Sequence, residues 1–128
     1  MIQKQTWLHI ADNTTVKWLQ IFHLYKGFSR RVSYPGHFVK GSARVVSPPQ
    51  IEYKGFKFKF NSKGDICRSI FVRSYQTMRN NDSSKLSFNC NSGVLIKKRQ
   101  IVKSKYLFGP VPRLIRRKKI QLLFKVTV

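Results

Sequence analysis

The run Val16-Lys17-Trp18-Leu19-Gln20-Ile21-Phe22-His23-Leu24-Tyr25 decides how the rest of the chain is read. Its polar residues, with Lys26 just beyond, recur every third position, a spacing that suits a helix. Its content of Val, Ile, Trp, Phe and Tyr favours a strand, because β-branched and aromatic side chains fit a pleated, half-buried surface. Read as a strand, it makes the chain mainly β, and the flanking sequence agrees. Gln5–Ile10 reads as a preceding strand stopped by Asp12-Asn13. Gly27–Ser33 reads as a loop carrying Arg30-Arg31, and Tyr34-Pro35-Gly36 as a turn. His37–Val46 is the next strand, ended by Pro48-Pro49, since a proline nitrogen cannot donate to a ladder.

Farther along, Tyr53-Lys54-Gly55-Phe56-Lys57-Phe58-Lys59-Phe60 alternates with period two. Such a strand buries Phe56, Phe58 and Phe60 on one face and presents Lys57 and Lys59 on the other. Asn61–Asp65 is a turn into a strand over Ile66–Tyr75, in which Ile66, Ile70 and Val72 alternate imperfectly with Arg68 and Arg73. Gln76–Ser84 is polar and loop-like. Lys85–Asn89 and Val94–Ile96 are short strands around a turn at Asn91-Ser92-Gly93, followed by the basic cluster Lys97-Lys98-Arg99. After Gly109-Pro110, Leu114, Ile115, Leu122 and Leu123 mixed with Arg116, Arg117, Lys118 and Lys119 predict one or two short amphipathic helical turns. Short strands punctuated by turn residues indicate a small barrel or sandwich. A length of 128 residues fits one domain.

Charge narrows the function. Twenty-six Lys and Arg face four acids, Asp12, Glu52, Asp65 and Asp82, for a net charge of +22. Most basic side chains therefore lack an internal carboxylate, and the compact state repels itself unless a polyanion is present. The basic residues are spread along the chain, which suits a surface embedded in folded RNA better than a local acidic partner. A spanning helix needs roughly 20 continuous apolar residues, which no segment offers, and the run Arg116–Lys119 is short for a polybasic membrane anchor. No membrane association is expected.

Four scattered acids cannot readily supply paired carboxylates, and neither a phosphate-binding glycine loop nor a nucleophile elbow is present, so the chain is not expected to be an enzyme. His9, His23 and His37 lie far apart in sequence and far from Cys67 and Cys90, so neither a metal nor any other cofactor is expected. Cys67 reads as a small core residue. Aromatic residues in a small β domain usually belong to its core, but interleaved with basic residues they also suit stacking on unpaired bases. Trp7, Trp18 and the Phe56–Phe60 row are candidates for either role.

Met1-Ile2-Gln3-Lys4-Gln5-Thr6, Ala11-Asp12-Asn13, Gly64-Asp65-Ile66, Ile70-Phe71-Val72-Arg73, Phe88, Asn91, Val94-Leu95-Ile96 and Phe108-Gly109-Pro110-Val111 with Arg113 follow one another in order and spacing. Together they resemble large-subunit ribosomal protein fourteen, a universal family. The sequence departs from that pattern at Thr14-Thr15, His37, Asn89 and Tyr106, and over a longer segment at 47–63. The resemblance implies a small closed five-stranded β-barrel over about 1–105, with an extra β-ribbon, and a short C-terminal helical segment over about 106–128. It implies binding to large-subunit rRNA, contact with neighbouring large-subunit proteins, an intersubunit bridge with small-subunit rRNA, and docking of a ribosome-silencing factor.

The residues expected on rRNA are Lys4, Arg30, Arg31, Lys40, Arg44, Lys54, Lys57, Lys59, Arg73, Arg79, Lys97, Lys98 and Arg99. Phe108, Gly109, Pro110, Val111, Arg113, Arg116 and Arg117 are expected to face protein partners and the small subunit. The richness in Phe, Ile, Lys and Asn suits an AT-rich organellar genome. Because the chain begins at the family's own first residue, synthesis inside a mitochondrion without a transit peptide is expected; a plastid or a reduced bacterium is the alternative source. A free-standing single-stranded nucleic-acid binder of OB type is the alternative function.

Uncompensated charge has a direct consequence for the isolated chain. RNA-free protein at low salt is expected to be poorly soluble or partly unfolded when followed by circular dichroism and thermal melting. A cooperative, high-temperature melt under those conditions would contradict it.

Overall fold

A computed structural model describes residues 1–25, 27–48, 61–97, 103–104, 106–112, 115 and 126–127. Its strands are β1 (Trp7–Ile10), β2 (Val16–Leu24), β3 (Phe38–Val46), β4 (Ile66–Arg73), β5 (Met78–Arg79), β6 (Lys85–Leu86), β7 (Ser92–Ile96), β8 (Tyr106–Leu107) and β9 (Val126–Thr127). Five of them close a barrel in the order β1-β2-β3-β4-β7. Four of its junctions are antiparallel, and an odd number of strands cannot close on antiparallel pairs alone. The last junction, β1 with β7, is accordingly parallel, pairing His9 with Ser92 and Ile10 with Gly93.

A five-stranded barrel has a narrow interior, so large inward side chains must meet small ones. Phe71 lies opposite Gly93 and Gly41 opposite Cys67. A Cβ built on Gly93 would lie 2.6 Å from Leu8 Cδ2, 2.6 Å from Ser69 Oγ and 2.8 Å from the Ile70 carbonyl. One on Gly41 would lie 2.6 Å from both Leu19 Cγ and the Gln20 carbonyl. Leu8, Ile10, Val16, Leu19, Ile21, Leu24, Val39, Phe71 and Leu95 fill the remaining space, with Ile2 joining them. Cys67 lies in this inner core as a free thiol, as the sequence suggested.

The helix-like spacing of residues 16–25 has a structural cause. Register between β2 and β3 shifts three times, leaving Lys17, Arg44 and Phe22 as extra residues. Each bulge breaks the two-residue alternation and turns the strand, which strongly curved barrels require. Lys17 and Trp18 consequently both face solvent, as does Phe22.

The barrel is also apolar on part of its outside. Ile70, Val72, Val94 and Ile96 form a second cluster with Ala11, Leu107 and Ile115, and Phe38 packs at its edge. Leu107 and Ile115 cover this face, so β7 and the Ser69–Val72 part of β4 are buried on both faces. This explains the imperfect alternation of Ile66–Tyr75.

Several sequence expectations shift. Ser92 and Gly93 belong to β7 rather than to a turn, because Gly93 is needed for close packing rather than for a chain reversal. The expected strand Lys85–Asn89 contracts to β6, and β5 forms inside the supposed loop, giving a two-residue ribbon with Met78 opposite Leu86. Gln5 has φ 71°, so the first strand starts later, at Trp7. The expected strand at 53–60 and most of the expected C-terminal helical turns lie outside the described residues. Within the expected helical region, Ile115 closes a single turn on Pro112, whereas β8 and β9 pair as parallel strands.

Replacing Gly93 by Ala is expected to destabilise the protein by about 1–3 kcal/mol through overpacking. Chemical denaturation of the full chain, with Lys97→Ala as an exposed control, reads this. An unchanged midpoint would mean that the interior has room to spare.

Candidate nucleic-acid interface

The described acids are committed to holding backbone in place. Asp12, buried, accepts hydrogen bonds from the Leu95 N–H at 2.8 Å, the Thr14 N–H at 2.9 Å and the Thr14 hydroxyl. Burial raises its pKa above the usual carboxylate value, and these hydrogen bonds oppose the rise. Asp65 accepts the Ser62 N–H at 2.8 Å, and Asp82 caps the β5–β6 turn through the Ser84 N–H at 3.1 Å and its hydroxyl at 2.6 Å.

With acids so used, cations meet cations. Lys40 on β3 pairs directly with Arg68 on β4, and Arg79 on β5 pairs directly with Lys85 on β6. Like charges opposite one another in a ladder cost up to roughly 1 kcal/mol. Lys40 finds partial relief over the Tyr25 ring, its Nζ 5.5 Å from the centroid. Arg68, Arg79 and Lys85 are exposed. A two-residue ribbon such as β5–β6 has little stability of its own, so an anion bridging Arg79 and Lys85 would stabilise it.

The other expected residues fall in several places. Lys4 and Arg31 are exposed, Arg30 is half-buried in the loop before β3, and Lys97 is exposed just after β7. Arg44 is exposed, and its Nε donates to Gln20 Oε1 at 2.7 Å, while Gln20 Nε2 donates to Gln5 Oε1 at 2.9 Å. Lys54, Lys57, Lys59, Lys98, Arg99, Arg113, Arg116 and Arg117 lie outside the described residues. Phe108, Pro110 and Val111 are exposed, and Gly109 is half-buried.

Arg73 has an internal task. Its Nε donates to the Pro110 carbonyl at 3.0 Å and an Nη to the Phe108 carbonyl. Gly109, between them, has φ 86°, and a Cβ there would lie 2.8 Å from that Nη. The guanidinium thus holds the Phe-Gly-Pro turn against β4, and the Phe108 N–H adds a 2.8 Å bond to the Ala11 carbonyl. Burial lowers the pKa of Arg73 without neutralising it.

Lys17, Arg68 and Lys85 were missed as interface candidates. Arg68 faces outward beside the buried Cys67, and its pairing with Lys40 depends on register. Lys17 is displayed by a bulge, which leaves no simple period in the sequence. Trp7 and Trp18 prove not to be core: they are 47% and 37% exposed. Among the described residues no helix is long and apolar enough to cross a membrane.

Compared with known families, residues 1–127 match the family model described as ribosomal protein L14p/L23e. The match spans the barrel, the Phe-Gly-Pro turn and both ends of the chain.

The clasp between Arg73 and Gly109 makes a coupled prediction. Gly109→Ala is expected to destabilise the native chain strongly and to cost at least about 0.5 kcal/mol less in an Arg73→Ala background, where the Cβ has no guanidinium to meet. A double-mutant cycle read by denaturation measures the difference; additive effects would show that the two residues are independent.

Proposed function

We propose that the chain, which belongs to the ribosomal protein L14p/L23e family and thus has a structural role in the large ribosomal subunit, binds large-subunit rRNA by laying the outer face of its barrel along phosphates. The observation that carries this reading is the direct pairing of Lys40 with Arg68 and of Arg79 with Lys85. Each pair is unfavourable in the free protein and becomes favourable when a phosphate oxygen lies between its members. Affinity then comes from counterion release, with little reading of sequence.

The finer assignments follow the same logic. Lys4, Arg31 and Lys97 extend the phosphate-facing surface beyond the paired strands. Phe108, Pro110 and Val111, held outward by the Arg73 clasp, are the surface offered to small-subunit rRNA at an intersubunit bridge, to neighbouring large-subunit proteins and to a ribosome-silencing factor. The many Phe, Ile, Lys and Asn residues support a mitochondrial ribosome as its location. A closed five-stranded barrel alone would suit a free-standing single-stranded nucleic-acid binder equally well; the match over residues 1–127 favours the ribosomal role.

Binding of the full chain to a large-subunit rRNA fragment, measured across a salt series, tests the phosphate assignment. Replacing both Lys40 and Arg68 by Ala is expected to weaken binding and to lower the slope of log K against log salt by about two units, one per lost contact. An unchanged slope would remove these residues from the interface.

A further inference from the structure

Among the described residues, β1 and β2 carry a partly exposed aromatic patch outside the cation pairs. Trp7 on β1 and Trp18 on β2 meet edge to face, their ring centroids 6.5 Å apart at 65°, and His9 meets Trp18 at 5.3 Å and 74°. His9 pairs with Trp18 across β1–β2, and Val45, 46% exposed, pairs with Trp18 across β2–β3. Burial lowers the pKa of His9, aided by the nearby charges of Arg73 and Lys17, so its ring is mainly neutral near pH 7. The patch is therefore aromatic and uncharged at its centre.

Its rim is cationic. The two bulges flanking Trp18 have Lys17 and Arg44 as their extra residues, and both side chains are exposed. Arg44 is steadied by Gln20, which in turn is bonded to Gln5. In each edge-to-face contact one ring offers its edge and keeps both faces clear of that partner, which leaves flat surface for a third ring. Indoles flanked by cations match a nucleotide, whose base stacks while its phosphate is neutralised. A protein segment would need acidic groups to match this rim, and the net charge of +22 makes RNA the better complement.

We propose that Trp7, His9 and Trp18, rimmed by Lys17 and Arg44, form a stacking platform for an unpaired base of rRNA. The proposal rests on the RNA-binding reading above and adds a contact that recognises single-stranded rather than duplex RNA. The bulges have a double use here: they curve β2 into the barrel and bring cations beside the indole.

Trp7 and Trp18 are the only tryptophans of the chain, so its indole emission reports this patch alone. The full chain is titrated at moderate salt with oligouridylate and with duplex RNA of equal length, while anisotropy of labelled RNA gives affinity. Stacking predicts quenching by the single strand and little by the duplex. It also predicts roughly 5- to 150-fold weaker single-strand binding for Trp7→Ala with Trp18→Ala, at unchanged salt slope. Trp7→Phe with Trp18→Phe should recover most of the loss, and an unchanged melt of the Ala variant separates stacking from folding. Single-strand binding without quenching, and indifferent to the Ala substitutions, overturns the platform but leaves the phosphate reading intact. Failure to bind either RNA overturns both. Co-sedimentation of the wild type, but not the Ala variant, with RNA-stripped large-subunit proteins would make the patch a protein-docking face and overturn the proposal.

Discussion

Closure of β1 against β7 is the constraint on which the rest of the structure depends. The strands are joined by the His9 N–H on the Asn91 carbonyl at 3.1 Å and the Ala11 N–H on the Gly93 carbonyl at 2.9 Å. One residue later β1 has ended, and the carboxylate of Asp12 takes the Leu95 N–H in place of a strand carbonyl. A chain with four acids thus spends one of them on its own seam. Because burial raises the folded-state pKa of Asp12, the stability linked to its protonated form is present below the unfolded value and is lost as pH rises through the raised one. Hydrogen bonds from Leu95 and Thr14 offset part of the burial cost of the ionised carboxylate.

Closure with only five strands forces the small interior residues and the bulges, and both have consequences outside the core. Gly41 and Gly93 let Leu19 and Leu8 fill the centre. The bulges that let β2 and β3 turn so sharply display Lys17, Phe22 and Arg44 outward. Curvature and charge display therefore share a cause, and straightening β2 to improve its ladder would rearrange the surface as well.

The outer face of β4–β7 ties the barrel to the chain's C-terminal part. Leu107 and Ile115 cover Ile70, Val72, Val94 and Ile96, while Arg73 at the end of β4 holds the Phe108 and Pro110 carbonyls. Packing and the guanidinium act together: the apolar contact sets where the segment lies, and the two hydrogen bonds set the direction in which the Phe-Gly-Pro turn faces. An arginine is suited to this because its planar fork can reach two carbonyls at once, which a lysine ammonium does less well.

The sequence by itself determined the β class, the net charge of +22 and, through the spacing of motifs such as Phe108-Gly109-Pro110-Val111, the family. These are carried by composition, local propensity and short motifs, all properties of neighbouring residues. It also suggested Cys67 as core, because strand alternation is local. Tertiary structure alone decided that Gly93 is a packing residue, that Arg73 is bound to the chain's own carbonyls, and that Trp7 and Trp18 are exposed. It also decided that Lys40 faces Arg68. Each of these depends on register between strands distant in sequence, and a single bulge changes which residue faces which. Periodicity cannot carry that information, since the bulges that close the barrel are the places where the period is broken.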